Sequence, residues 1–478
     1  MPRLMMRWAC GLGIVALAGS LAPVATASTG SALIAAYSLA APRSEVASGI
    51  VARAILPAGL DCPAIEVTNA QGRSWAVPMT ERPRPERTGP AFEPLLVCSA
   101  SMPPGAQTAS IAGQAIPAHM PRRIERLALL GDSGCRITSS QVQDCLDPSA
   151  WPLARISAAI AADDPDAIVF NGDFFYREAA CPSADQSWCG GSPVPLAGMP
   201  FTDSAYGWLA DVFIPMAPML AAAPLVVTRG NHEACYRGGN GYFLYFDALA
   251  DSWNTCAPNV VDGVLTAAPT VPIPTHAIDL AVSAGRTLRL AIVDSAGGSD
   301  TEVDAYATIQ RPAYEQAAAL TARRAGRESW LLTHRPVYGY QTTELAVPGT
   351  AFNPWLSADQ SAAAWGLLGN YDMVFSSHLH QAMVVQLPDL PDQLILGNAG
   401  TLLDPVAGYP LPATGAPAGP GRAYPAPTSA WVQVRFGYAM ATPQPDTGAW
   451  RMAMRDPDGK DFARCGLRSG SLYCRTLP

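Results

Sequence analysis

Short, unbroken apolar runs punctuate the middle of the chain: Leu127-Ala128-Leu129-Leu130, Ala167-Ile168-Val169-Phe170, Leu225-Val226-Val227, residues 288–293, Trp330-Leu331-Leu332 and Met373-Val374-Phe375. Runs of this kind, rich in β-branched residues, are strands covered on both faces. Between the first two, Trp151, Ala154, Ile156 and Ile160 recur near helical spacing, which predicts a helix over residues 149–162. A second helix is expected over residues 311–327. Strand alternating with helix predicts an α/β layered domain.

The pattern differs on either side. From Gly49 to about Ile116, runs such as Ile50-Val51-Ala52, Ala64-Ile65-Glu66-Val67, Trp75-Ala76-Val77 and Leu95-Leu96-Val97 are broken by proline and glycine, predicting a small β-rich domain. Residues 80–94, with four prolines, read as a long loop. Residues 28–46 are small and polar and are expected to be a loose linker. Residues 404–428 read as a surface loop, and two β-like segments follow, 431–440 and 450–454. The domains expected are a signal peptide at 1–27, the β-rich domain with its linker at 28–122, and an α/β domain at 123–478.

Composition adds a compartment. Arg3 and Arg7, an apolar stretch from Gly11 to Val24, and Ala25-Thr26-Ala27 before Ser28 read as a secretory signal. The alternative is an uncleaved N-terminal anchor, but the stretch is short and interrupted for a span, so no stable membrane insertion is expected after the signal is removed. Cys10 lies in the signal, leaving ten cysteines as near neighbours: Cys62 with Cys98, Cys135 with Cys145, Cys181 with Cys189, Cys235 with Cys256, and Cys465 with Cys474. Pairing of neighbours into five disulfides is the expectation, although spacing does not fix connectivity. A periplasmic or secreted protein follows, and the Ala- and Arg-rich composition points to a bacterium. The net charge of −8 disfavours a polyanionic partner, so no nucleic acid is expected.

Five polar motifs begin where strands are predicted to end: Gly131-Asp132-Ser133-Gly134, Gly172-Asp173-Phe174-Phe175-Tyr176, Gly230-Asn231-His232-Glu233, Thr333-His334-Arg335-Pro336 and Ser377-His378-Leu379-His380. Functional groups in α/β proteins gather beyond the carboxyl ends of strands, so distant loops can converge there. Aspartate, histidine, asparagine and tyrosine together suit metal ions, and one carboxylate can bridge two of them. The chain has six histidines, and four sit in these motifs. His119 and His276 read as structural or surface residues. Taken singly each motif is weak, because Gly-Asp is usually a turn and an asparagine can simply cap a helix.

Taken together, over about residues 126–400, the motifs resemble the calcineurin-like metallophosphoesterases. Asp-Ser-Gly and the GD-x-x-Y form are similar to the purple acid phosphatase branch. The resemblance implies a two-sheet α/β/β/α sandwich, often preceded by a β domain. It assigns Asp132, Tyr176 and His380 to a first metal, Asn231, His334 and His378 to a second, and Asp173 to a bridge between them. It implies Fe(III) with a tyrosinate charge-transfer band at the first site, and divalent zinc, iron or manganese at the second. His232 would contact the substrate and protonate the leaving oxygen. Asn231 is also expected to face the substrate, a small phosphorylated molecule attacked by a metal-activated hydroxide, and Arg335 to reach either the phosphate or only the solvent. Glu233 is expected to brace His232 or its loop, and Asp294 and Ser295 to act behind the ligands. Tyr338 and Tyr340 fit either a pocket wall or core packing.

Two departures stand out. Ser377 replaces the glycine usual before the closing H-x-H, and no histidine remains for the wider substrate pocket of larger members. The leading expectation is a phosphomonoesterase. A phosphodiesterase or nucleotide pyrophosphatase on the same scaffold shares the metal motifs, and would be distinguished by walls expected at residues 181–200 and 404–428. A metal-stabilised surface binding protein is a third reading, disfavoured by the complete ligand set. The sequence sets no oligomeric state.

Overall fold

The computed structural model describes residues 33–83, 89–191, 201–248, 256, 259–261, 264–266, 272–341, 354–404, 411–444 and 446–478. The expected signal peptide lies outside the described residues, as do parts of the loops expected at 80–94, 181–200 and 404–428. No helix among the described residues is long and apolar enough to cross a membrane.

Two sheets carry the molecule. The central strand runs identified from sequence fall within observed strands: Leu127–Leu130, Ala167–Phe170, Leu225–Val227, Arg286–Val293, Arg327–Thr333 and Met373–Ser376. The first three are parallel neighbours at the centre of an eleven-stranded sheet. The last three are parallel neighbours in a seven-stranded sheet, with Gln393–Leu396 beside them. Alternation along the strands explains why both faces are apolar. Leu127, Leu129, Ala167 and Val169 face Leu290, Ile292, Trp330, Leu332 and Phe375 in one core between the sheets. Ala128, Leu130, Ile168 and Phe170 face outward onto Leu153, Ile156 and Ile160 of the helix Leu153–Ala162. Val293, Leu331 and Val374 pack on Tyr314 and Ala317 of the helix Ala305–Leu320 and on Ala363 of the helix Ala358–Ala364. The result is the expected α/β/β/α sandwich.

Several local readings are corrected. Within the expected linker, Ala35–Ala40 is a fully buried strand, antiparallel to Ile50–Pro57 and parallel to Leu225–Val227. Its alanines and serine carry little strand propensity, and pairing on both sides fixes it instead. Of the strands before residue 123, Ala35–Ala40, Ile50–Pro57, Thr80–Glu81 and Leu95–Ser101 extend the large sheet, while Ala64–Asn69, Ser74–Pro78, Ala106–Ile111 and Gln114–Ile116 form a sheet of their own. The helix expected at 311–327 runs over Ala305–Leu320, started by Asp304, whose carboxylate accepts the Tyr306 N–H at 2.6 Å. Pro312 lies inside the helix. The β-like segment 431–440 is two strands: Ser429–Gln433 edges the seven-stranded sheet and Tyr438–Gln444 pairs with Leu127–Leu130 in the other. Asp461–Arg468 and Ser471–Thr476 complete the large sheet.

The five neighbouring cysteine pairs are all joined. Cys135–Cys145, Cys181–Cys189 and Cys235–Cys256 close loops beyond the carboxyl ends of the central strands.

Candidate metal centre

All five motifs lie at the edge where the parallel strands of both sheets end. Asn171 ties that edge together. Its buried side chain donates to Thr333 O at 3.0 Å and Phe375 O at 3.2 Å, and accepts from the Thr228 hydroxyl at 2.6 Å. The chain turns sharply here: Asp132, Asp173 and His378 have φ of 58°, 58° and 71°. Such left-handed backbone in non-glycine residues costs about 1–3 kcal/mol each and concentrates at functional sites. Gly172 has φ 86°, and a side chain there would meet Gly230 N and His334 Nδ1, each at 2.7 Å.

Two groups of side chains share one carboxylate. The Tyr176 hydroxyl lies 2.8 Å from Asp132 Oδ1, 2.7 Å from Asp173 Oδ2 and 3.2 Å from His380 Nε2. On the other side Asp173 Oδ2 is 3.2 Å from His334 Nε2. Asn231 Oδ1 is 3.0 Å from His334 Nε2 and 2.7 Å from His378 Nδ1. Ligating atoms of Asp173, His334 and His378 all fall within 4.8 Å of one another. The seven residues expected around two metals are therefore brought together, divided as the resemblance divides them.

The surroundings aim these groups. Glu233 accepts the N–H groups of Asp173 (2.8 Å), Phe174 (2.8 Å), Phe175 (3.1 Å) and Gly230 (3.0 Å), so it shapes the Asp173 loop and its own rather than touching His232. Asp211, paired with buried Arg177 at 2.6 Å, accepts the Tyr176 N–H at 2.8 Å. His334 Nδ1 lies 2.8 Å from Asn171 O, which leaves Nε2 facing the centre. Ser377 uses the hydroxyl that glycine would lack: it donates to Asn171 O and sits 3.0 Å from His334 Nδ1. His378 Nε2 is 3.1 Å from Asp300 Oδ1, and His380 Nδ1 is 3.4 Å from Asp404 Oδ1.

His232 lies beside the two groups. Its ring lies against Tyr176, tilted by 33° with centroids 3.8 Å apart, and its Nδ1 is 2.6 Å from Glu178 Oε1. Arg237 holds the same carboxylate oxygen at 2.8 Å. Arg335 is buried, ion-paired with Asp300 and 3.3 Å from His378 Nε2. Asp294 pairs with Arg229 at 2.8 Å, and Ser295 accepts the Arg335 N–H at 2.9 Å. Tyr338 and Tyr340 belong to the outer core. His119 and His276 bond backbone carbonyls and take no part in the centre. Sequence reasoning missed Glu178, Arg136, Asp211, Asp300 and Asp404. Glu178, two residues beyond the GD-x-x-Y motif, and Arg136, four beyond Asp132, are near enough to a motif to have been flagged; the others carry no local signal.

The electrostatics show what the donors fit. Burial pushes the Asp132 carboxyl up to about 7 and Glu233 up to about 8, with the Asp173 charge adding to both. Burial and both aspartates push the Tyr176 phenol well above its usual 10. Burial also opposes the charged form of Asp173, but His334 and His232 outweigh it and hold Asp173 well below the usual carboxylate range. His334 is raised to about 9, burial being overcome by Asp173 and Asp132. Closely packed oxygen donors with so little compensating charge suit cations, which stabilise their deprotonated forms. The oxygen-rich first group and the amide–imidazole second group are both suitable donor sets for a metal.

A pH prediction follows for the metal-free protein. Asp132, Glu233 and His334 all have folded values above their ordinary ones of 3.8, 4.5 and 6.5. Each contributes stability that is complete below its ordinary value and lost as pH rises through the folded value. Asp173 acts oppositely at acid pH. His232, pushed down by burial to about 4, and His378 and His380, also lowered by burial, act oppositely up to the ordinary value of 6.5. The Tm of chelator-treated protein is therefore expected to fall between about pH 7 and 9, as Glu233 and His334 deprotonate, on the order of 5 °C, while metal-reconstituted protein falls less. Calorimetry across that range checks it; a flat metal-free profile would contradict the assigned shifts.

A double-sheet sandwich with a polar centre of this make-up defines a metal-dependent phosphoesterase. The chain belongs to the calcineurin-like phosphoesterase family, whose profile matches residues 126–382, more than half its length. No curated protein sequence matches it. Among solved structures it is similar to the purple acid phosphatase from yellow lupin (Lupinus luteus) seeds, with TM-score 0.54 and 13% identity, covering 92% of this chain and 74% of that one. It is also similar to PhoD, with TM-score 0.52 and 10% identity, covering 94% of each chain. At such identities these likenesses speak for the fold. The resemblance of the Asp-Ser-Gly and GD-x-x-Y motifs to purple acid phosphatases agrees with the first.

Proposed function

We propose that the protein is an exported phosphatase that holds two metal ions and hydrolyses phosphomonoesters. The observation that carries this is the shared position of Asp173. Its Oδ2 lies 2.7 Å from the Tyr176 hydroxyl and 3.2 Å from His334 Nε2, with the other expected ligands completing a set on each side. Asp132, Tyr176, His380 and Asp173 would hold the first ion, taken as Fe(III). Asn231, His334, His378 and Asp173 would hold the second, taken as divalent zinc, iron or manganese. Bound ions supply Lewis-acid polarisation of the phosphate and an acidified water as nucleophile. The chain's own contribution is orientation. Asp173 fixes the His232 loop by accepting its N–H at 2.8 Å, Glu178 holds the imidazole, and His232 Nε2 faces the centre as the donor to the leaving oxygen. Five disulfides favour an oxidising compartment.

Metal analysis, a visible spectrum, and assays of phosphomonoesters against phosphodiesters across pH test the proposal. About one equivalent of iron with a purple band is expected, and Tyr176→Phe should remove the band. A colourless, iron-containing parent would remove Tyr176 from the first site, and a preference for diesters would replace the monoesterase reading.

A further inference from the structure

We infer that Arg136 is the phosphate-binding cation of this centre, recognising the dianionic terminal phosphate of a monoester in place of the pocket histidines that the chain lacks. The inference rests on the phosphatase reading and narrows its substrate class. Arg136 follows Asp132 by four residues and sits on the loop closed by Cys135–Cys145, whose Cα atoms are 5.7 Å apart. Its N–H donates to Gln143 Oε1 at 3.0 Å, and Gln143 in turn donates to Ala150 O and Gly400 O, so the backbone beneath it is fixed. The guanidinium carbon lies 4.9 Å from the centroid of the Tyr176 ring, and Nη2 lies 3.4 Å from His380 Nε2, the nitrogen that faces the first metal group.

Its charge is what sets it apart. Arg335 is neutralised by Asp300 and Arg237 by Glu178, whereas Arg136 has no ion pair among the described residues. Its remaining side-chain contact is Nη1 to Gln141 Oε1 at 3.3 Å, and its buried Nε has no hydrogen-bond partner. Its charge is felt by Asp404, which burial pushes up to about 6 and Arg136 draws back down. A planar fork with spare donors beside the centre matches two phosphate oxygens. A monoester dianion keeps an extra charged oxygen for that fork. A diester carries an esterified oxygen instead and leaves the guanidinium less well matched.

The test uses the full mature enzyme with its metals, as parent, Arg136→Met and Arg136→Lys. Metal content, the affinity for inorganic phosphate by calorimetry, and kcat and KM for a monoester and a diester are measured. Arg136→Met is expected to keep both metals and to bind phosphate roughly 10- to 100-fold more weakly. Its monoester kcat/KM should fall more than that of the diester, lowering the ratio by about tenfold, with Arg136→Lys partway between. Unchanged phosphate affinity, an unchanged ratio, or loss of metal in Arg136→Met would overturn the inference, the last by making Arg136 a support for His380. A parent that binds phosphate through Arg136 yet hydrolyses neither ester would overturn the phosphatase reading instead.

Discussion

Asp173→Ala is expected to bind neither metal tightly and to turn over on the order of 10³-fold more slowly or worse, since losing even one preorganised stabilising group costs about 10²–10³. The reason is geometric. Among the described residues Asp173 is the one carboxylate that sits between the two groups, and its Oδ1 also accepts the His232 N–H at 2.8 Å. Alanine at φ 58° keeps the backbone strain while losing every side-chain contact that offsets it. It also leaves His334 facing Asn231 without the stronger-acting of the two negative charges that raise it to about 9. Asp173→Asn separates shape from charge: it can still accept the His232 N–H, yet should fail to hold two cations. Elemental analysis alongside kcat decides. An alanine variant with two metals and parental turnover would remove the bridge, and with it the proposed mechanism.

What could be read from sequence, and what could not, divides along physical lines. Strands such as Ala167–Phe170, covered on both faces, announce themselves because every position must be apolar. The ligand motifs were legible because each lies directly after such a strand. Ala35–Ala40 was not, because small residues satisfy a central strand when neighbours supply the hydrogen bonds. The crossing between Gln433 and Tyr438 was hidden because an apolar pattern does not say which sheet a strand joins. At the centre itself, Glu178, Asp300 and Asp404 act through partners 54, 78 and 24 residues away in the chain, His232, His378 and His380. Only the folded edge brings them together. Arg136 carried a local clue, but an arginine four residues after an aspartate is unremarkable until the loop closed by Cys135–Cys145 turns it over Tyr176.

His232→Ala is expected to keep both metals and to lower kcat roughly 10²- to 10⁴-fold with alkyl phosphates, the range for losing a positioned acid. None of the atoms completing the two ligand sets belongs to His232. Its Nε2 stands 3.9 Å from Asp173 Oδ2, and its Nδ1 is occupied by Glu178 at 2.6 Å. In the metal-free protein burial pushes the imidazole down to about 4, against the pull of Asp173 and Glu178, and bound cations would push it in the same direction. The acid form is therefore favoured as pH falls, and kcat/KM for an alkyl ester should decline as pH rises. That slope should vanish in His232→Ala. A leaving group that departs readily as its anion, such as a nitrophenolate, needs no proton, so its rate should fall far less. Glu178→Gln keeps the shape of the contact and removes its charge, and should give a smaller loss with the same dependence on leaving group. Equal losses for alkyl and nitrophenyl esters would take the acid role from His232, leaving it as a phosphate contact. Loss of metal in His232→Ala would show that the ring holds Tyr176, against which it lies with centroids 3.8 Å apart, in place for the first ion.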